Sequence, residues 1–393
     1  MMKNVAVVGI GQTKFGEHWD KSLKDMICEA SLGAIADAGI EKKDIESVHV
    51  GNMSAGRFSG QEHLGALAAD CIGVNVPATR YEAACASGSV AFRNAVNAVA
   101  SGQEKVALVI GVEKMTDVST PSAVLSLAAA GDQEWEASSG LTFAGAYALI
   151  ARRHMYEFGT TKEQLAMVAV QNHKNAVGNP YAQFPFAVKL EDVLDANMIA
   201  EPLGLLDCSP LTDGAAAVII TEESIAKNMD PVWLLGSGQG SDTLALHSRK
   251  SLTEMLATKQ AAKKAFEQAG VQRKDINVVE VHDCFTINEI IGLEDLGFCE
   301  KGKGGQFVEQ GAIALDGQVP TNTLGGLKAC GHPVGATGIR QVIDIARQLR
   351  GKAYNQVNGA RYGLNLNIGG SGATAVVNIF GKEMPERERN LWQ

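Results

Sequence analysis

The chain has 393 residues, of which 46% are hydrophobic and 20% charged, with a net charge of −9. That length exceeds what one hydrophobic core serves, so two core units are expected in a globular protein. The acidic balance argues against a general nucleic-acid surface, and no apolar run is long enough to span a bilayer.

The first residues, Met1 to Ile10, enter a strand at once. Their apolar part is too short for a signal-peptide core, so a cytoplasmic location is expected. Seven cysteines without a C-x-x-C pair do not make a disulfide framework in such a chain.

Internal repeats organise the rest of the chain. Ala38-Gly39-Ile40-Glu41-Lys42-Lys43-Asp44-Ile45 through Val50 resembles Ala269-Gly270-Val271-Gln272-Arg273-Lys274-Asp275-Ile276 through Val281, each after an alanine-rich helix. Cys85-Ala86-Ser87-Gly88 with Arg93 pairs with His332-Pro333-Val334-Gly335 with Arg340. Gly214 to Ile220 pairs with Gly372 to Asn378. The three matches keep one order, so the chain reads as a duplicated α/β unit, with halves at 1–230 and 231–393. Near-continuous apolar strands such as Lys105 to Gly111 indicate a sheet buried on both faces.

Cys85 sits in Glu82-Ala83-Ala84-Cys85-Ala86-Ser87-Gly88-Ser89, followed by a helical run, Val90 to Ala100, and a stop at Gly102. The second match places Cys85 and His332 at equivalent points, each opening a helix. Unpaired N–H groups and the helix dipole there would favour a thiolate. The alternative is a small buried hydrophobe, and the stretch alone leaves both open. An insertion, roughly 116–212, holds helical runs Phe143 to Phe158 and Lys162 to Ala176 and a loop, Gly178 to Pro185. Such an excursion usually covers a site. The polar tail after Gly381 reads as peripheral.

Three later stretches carry unusual residues: Val281-His282-Asp283-Cys284-Phe285, Cys330-Gly331-His332-Pro333-Val334-Gly335-Ala336-Thr337-Gly338, and Asn367-Ile368-Gly369-Gly370-Ser371-Gly372. With these on view, the chain resembles the thiolase superfamily over essentially its whole length. Gly331 to Gly338 resembles the family's histidine motif, the Cys85 stretch its acylated-cysteine motif, and Asp213-Gly214-Ala215-Ala216 its turn before the last strand of the first half. Two departures narrow the resemblance. His282-Asp283-Cys284-Phe285 stands where many members have Asn-Glu-Ala-Phe, and Asn367 stands where they have a second catalytic cysteine. The archaeal and sterol-carrier-type thiolases share this pair of changes.

The resemblance implies a thiolase fold, two duplicated α/β halves forming a layered αβαβα core with an inserted loop domain. It also implies an acetyl-CoA C-acetyltransferase that makes acetoacetyl-CoA and CoA from two acetyl-CoA, reversibly. A thioester Claisen condensation needs a thiolate that holds an acyl group, a base for the second α-carbon and donors for two oxyanions. By resemblance Cys85 carries the acyl group and His332 accepts its proton. Cys284 is the α-carbon acid/base, replacing the missing cysteine, and His282 completes the enolate hole. The N–H groups of Cys85 and Gly369 hold the tetrahedral oxyanion. Ser209 is implied to contact pantetheine. Arg249 and Lys250 are candidates for the CoA phosphates, with a solvated basic turn as the alternative. Cys330 reads as packing, as do Cys28, Cys71 and Cys299. CoA thioesters enter as substrates and no cofactor is implied.

A homodimer or homotetramer is implied, as are supply to the mevalonate route and a complex with hydroxymethylglutaryl-CoA synthase through a small bridging protein. Rival readings are a degradative 3-ketoacyl-CoA thiolase of the sterol-carrier type, a ketoacyl or hydroxymethylglutaryl-CoA synthase, and a non-catalytic acyl-CoA-binding protein. A metal site from His282, Cys284, Cys330 and His332 matches no standard zinc spacing.

Overall fold

The computed structural model describes residues 3–384; Met1, Met2 and nearly all of the polar tail lie outside the described residues. Nine strands of these residues form the main sheet: β1 (Val5–Gln12), β2 (Ser47–Gly51), β3 (Ala78–Tyr81), β4 (Val106–Glu113), β5 (Gly214–Glu222), β6 (Val232–Ser241), β7 (Val278–Glu280), β8 (Tyr362–Gly369) and β9 (Thr374–Gly381). Their order is β3-β2-β4-β5-β1-β6-β9-β8-β7. The halves mirror each other across β1 and β6, which meet antiparallel through only Ala6–Trp233 and Val7–Val232. Where β3 pairs with β2 in the first half, the second keeps a single parallel bridge, Val279–Thr321.

The repeat is structural down to its caps. Helix α1 (Leu23–Ala38) ends at Gly39, φ 66°, and its counterpart, Leu256–Ala269, ends at Gly270, φ 66°. Only a residue without a Cβ adopts that conformation at low cost. A short 3₁₀ turn follows in each half. The Asp44 carboxylate accepts from the Glu41 N–H and that of Asp275 from the Gln272 N–H, both at 2.8 Å. Each turn feeds the equivalent strand, β2 or β7.

Helices α2 (Leu64–Ile72), α3 (Ser87–Ser101), α4 (Phe143–Phe158), α5 (Lys162–Ala176), α6 (Leu256–Ala269), α7 (Thr286–Leu296) and α8 (Thr337–Arg350) complete the scaffold. The outer layers are α1 with α2 on the first half and α6 with α7 on the second. Between the half-sheets lie α3 and α8, and α8 touches strands of both halves. The expected αβαβα layering results. The inner core packs Phe92, Val96 and Val99 of α3 with Ile339, Val342 and Ile343 of α8, against Val5, Val109 and Val218 of the sheet. Gly102, φ 81°, ends α3 as expected.

One expectation is corrected. Cys85 lies two residues before α3, but His332 lies five before α8, with Pro333 to Ala336 forming a turn between. The first turn of α3 touches the lead-in to α8 instead: a Cβ on Gly88 would sit 2.6 Å from the Gly335 carbonyl oxygen. The inserted α4 and α5 span the expected ranges, capped by Thr142 and Thr161. No helix of the described residues is long and apolar enough to cross a membrane.

Candidate active site

The lead-in to α3 holds Cys85 rigidly. Ala84 takes φ 51°, an uncommon conformation for a residue with a Cβ. The Ser87 hydroxyl secures it, accepting from the Ala83 N–H at 2.9 Å and donating to the Ala84 carbonyl at 2.6 Å. The end of β8 packs on this loop so closely that a Cβ on Gly369 would meet the Ala83 oxygen at 2.3 Å.

The expected resting thiolate is not what this loop produces. Burial pushes the Cys85 thiol up to about 12, the N–H groups of Gly370 and Cys85 pull it down, and the buried Glu113 adds to the rise. Desolvation outweighs the local dipoles, so Cys85 rests as a thiol and needs a base. The donor aimed at the sulfur is Gly370, one residue beyond the Gly369 that the motif singles out.

His282 and His332 supply the rest. One donor atom of each, with the Cys85 sulfur, lie within 4.8 Å of one another, and the rings meet edge to face at 5.1 Å. Their tautomers differ. Thr337 Oγ1 donates to the Pro333 carbonyl at 3.1 Å, so it accepts from His332 Nδ1–H at 2.6 Å. His332 Nε2 is therefore a bare acceptor, buried and without a protein partner. Asn367 Nδ2 donates to His282 Nδ1 and to the Cys85 carbonyl, both at 3.1 Å. His282 Nε2 therefore carries the hydrogen, and it too is buried without a partner. Both imidazoles are neutral: burial first, then the nearby Arg340 charge, holds His332 down at about 3, and burial with the neighbouring His332 holds His282 well below the ordinary histidine value. A bare nitrogen and an N–H thus face the space beside Cys85, one suited to taking a proton and the other to binding an oxyanion. The His282 N–H makes this trio a poor ion cage as it stands, and the structure gathers Cys85, not Cys284 and Cys330, with the two histidines.

Asp283 locks the motif in place. Its carboxylate accepts from the Leu327 and Lys328 N–H groups at 2.6 and 3.0 Å, at the start of the short helix Gly326–Cys330 that leads to His332. Cys284, buried, lies against Tyr147 and Phe285, with Asn288 Nδ2 3.7 Å from its sulfur. Burial and the neighbouring Cys85 raise its thiol well above the ordinary value. Ser209 lies beside it, its N–H donating to the Cys284 carbonyl at 2.9 Å. Cys330 is packed, its thiol donating to the Leu324 carbonyl at 3.0 Å.

Three residues play parts that the sequence reading did not assign. Asn367 appears there only as an absent cysteine, although an asparagine on a buried strand demands partners. Arg249, the candidate for the CoA phosphates, donates to the Ser371 hydroxyl at 3.2 Å and to the Thr243 carbonyl at 3.3 Å, bracing the Gly369–Gly372 turn. Tyr147 of α4, 1% exposed, donates to the Gly370 carbonyl at 3.2 Å and stacks on Phe285 at 4.7 Å. A cavity of about 430 Å³ opens beside the Cys85 loop, lined by Glu82, Ala83, Ala84, Gly369, Gly370 and Arg57.

Residues 5–224 match the family described as Thiolase, N-terminal domain, and residues 238–382 match Thiolase C-terminal domain-like. The chain belongs to the thiolase family and is an acyltransferase of that family. It is 54% identical to a protein of Methanothermobacter thermautotrophicus named acetyl-CoA acetyltransferase, covering 97% of this chain and 100% of that protein. It is 51% identical to one of the same name from Methanocaldococcus jannaschii, covering 96% and 99%. Among solved structures, one titled Ltp2-ChsH2(DUF35) aldolase superposes with a TM-score of 0.83 at 28% identity, covering 96% of this chain and 97% of that one.

Proposed function

We propose that this chain catalyses the reversible condensation of two acetyl-CoA to acetoacetyl-CoA and CoA. The observation that carries the reading is the pair of neutral histidines with opposite tautomers beside Cys85. In the first half-reaction His332 Nε2 takes the Cys85 proton as sulfur attacks the thioester carbonyl. The N–H groups of Cys85 and of Gly369, the residue the motif implies, receive the tetrahedral oxyanion. Collapse leaves acetyl-Cys85, and the departing CoA thiolate takes the Cys284 proton. In the second half-reaction the Cys284 thiolate removes a proton from the methyl carbon of the next acetyl-CoA, while His282 Nε2–H holds the enolate oxygen. The carbanion attacks acetyl-Cys85. Collapse expels the Cys85 thiolate, which recovers its proton from His332, so every group returns to its starting state.

The names of the archaeal relatives support acetyl-CoA as the substrate. Ser209, joined to the Cys284 backbone, is a candidate contact for the pantetheine arm of CoA. We place the product at the entry of the mevalonate route, made in the cytoplasm by a homo-oligomer. The bridging-protein complex with hydroxymethylglutaryl-CoA synthase belongs to the same proposal. An aldolase cleaves a carbon–carbon bond without an acyl-enzyme, so acylation of Cys85 separates these chemistries. Cys284→Ala tests the assignment of the second half-reaction: condensation should fall at least about 100-fold with Cys85 acetylation retained, and unchanged condensation would refute it.

A further inference from the structure

The chain is acidic overall, with a net charge of −9, yet one pocket of about 210 Å³ is lined by two cationic residues, Lys3 and Arg93, and by no acidic one. It opens between α3 and the first residues of β1 and β6, and its apolar walls are Val5, Val96, Leu234 and Leu235. It shares no lining residue with the cavity beside Cys85.

Lys3 Nζ is committed to the Glu222 carboxylate. Arg93 has no such partner. Among the described residues it reaches the Ser237 carbonyl and hydroxyl oxygens, both 3.4 Å from Nη1, which is the weak end of the hydrogen-bond range. Its Nε–Nη2 edge, which suits a carboxylate held by two parallel bonds, has no partner there and is not sealed in the interior. Arg340 of α8 shows the contrast: it carries the carboxylates of Glu280 and of Asp344, the latter one helical turn further on. One turn beyond Arg93 stands the uncharged Asn97, which lines the same pocket. Burial pulls Arg93 down from its ordinary value with no carboxylate to offset it. A partly desolvated charge gains from a counter-ion, and the pocket leaves room for one from outside the chain.

We propose that this pocket binds a short-chain aliphatic carboxylate, its two oxygens on the Nε–Nη2 edge of Arg93 and its hydrocarbon against Val5, Val96, Leu234 and Leu235. The volume lies below that of a site for a drug-sized ligand, which limits the guest to a few carbons. An inorganic anion would answer the guanidinium and leave the apolar walls unfilled. A neutral chain would fill the walls and leave the guanidinium unpaired. Nothing at Cys85 enters this inference, so it stands apart from the condensation reading.

Ligand-observed NMR titrations of the full chain with acetate, butyrate and inorganic phosphate test it, run with excess CoA to occupy the site at Cys85. Affinity should rise about two- to fourfold for each CH₂ added from acetate to butyrate, and butyrate should bind more tightly than phosphate. Arg93→Gln should weaken butyrate at least about tenfold, the loss expected for hydrogen bonds to a charged group. Asn97→Asp changes an exposed position and supplies Arg93 with the internal carboxylate that Asp344 gives Arg340. It should weaken butyrate to a similar extent with the arginine still in place, and it decides the matter should Arg93→Gln fold poorly. Acetylation of Cys85 should proceed in both variants as in wild type. The absence of saturable butyrate binding, or binding unchanged in the variants, would overturn the site. Phosphate bound as tightly as butyrate would overturn the carboxylate assignment, since the guanidinium alone would then be recognised. Any of these failures leaves the condensation reading standing; a wild type that binds butyrate but never acetylates Cys85 would remove that reading and leave the pocket.

Discussion

Burial sets the state of Cys85 and of the two histidines beside it. The sulfur is a thiol, both imidazoles are neutral, and each was pushed there chiefly by loss of water. Acid–base work in such a site is decided by which nitrogen carries its hydrogen. For His282 that is decided by Asn367, whose amide at 3.1 Å occupies Nδ1 and leaves the hydrogen on Nε2. Asn367→Ala frees the tautomer and opens a void beside the ring. Condensation should fall about 10- to 100-fold by partial loss of an oxyanion donor, while the rate of Cys85 acetylation changes much less. Equal loss in both half-reactions, resolved by single-turnover kinetics, would show that Asn367 supports the Cys85 loop and not the histidine. Cys85, His282, Cys284 and His332 are visible in sequence because their residue types and motifs announce chemistry. Tyr147 is not, since its partner Gly370 lies 223 residues away and a tyrosine inside an amphipathic helix looks like core. Arg249 is only partly legible: next to Lys250 it looks like part of a solvated basic turn, yet the Ser371 hydroxyl and Thr243 carbonyl hold it.

At the level of elements, the site exists because the first turn of α3 meets the lead-in to α8 backbone to backbone. Gly335 admits no side chain: a Cβ there would lie 2.4 Å from the Val112 oxygen and 2.8 Å from the Gly51 oxygen. These are strand backbone atoms with no freedom to retreat. Gly335→Ala should cost about 1–3 kcal/mol by overpacking, seen as a lowered Tm, and should reduce acetylation by moving His332 relative to Cys85. A stable variant with full acetylation would mean that this contact does not set the distance. The duplicated helix–turn–strand units were legible because their glycine stops and aspartate caps recur in order. The turn at Pro333 to Ala336 was not, because matching His332 to Cys85 residue by residue assumes that both helices begin at the same point.

Over the whole molecule, a buried polar network ties the insertion to the second half. Asn172 of α5 donates to Asp283 and Glu289, each at 2.8 Å, and Asn322 donates to Glu289 at 2.7 Å. Burial and the neighbouring Asp283 raise the Glu289 carboxyl to about 8 from an ordinary 4.5. Between those values the folded protein holds a proton that the unfolded chain has released. The stability this group contributes is therefore present below pH 4.5 and is lost as pH rises toward 8, with no further change above. Glu289→Gln preserves both accepted hydrogen bonds and has no proton to lose. Its Tm relative to wild type should rise between pH 5 and pH 8, by an amount on the order of 3–4 kcal/mol in stability; an equal difference at both values would contradict a protonated Glu289.

The central claim is that Cys85 carries an acyl group taken from acetyl-CoA, with His332 as its base. Intact-protein mass after incubation with acetyl-CoA, for wild type and Cys85→Ser, tests it most directly. A single acetyl adduct on wild type that is absent from Cys85→Ser is the predicted result. An unmodified wild type, or an adduct that survives in Cys85→Ser, would contradict the account.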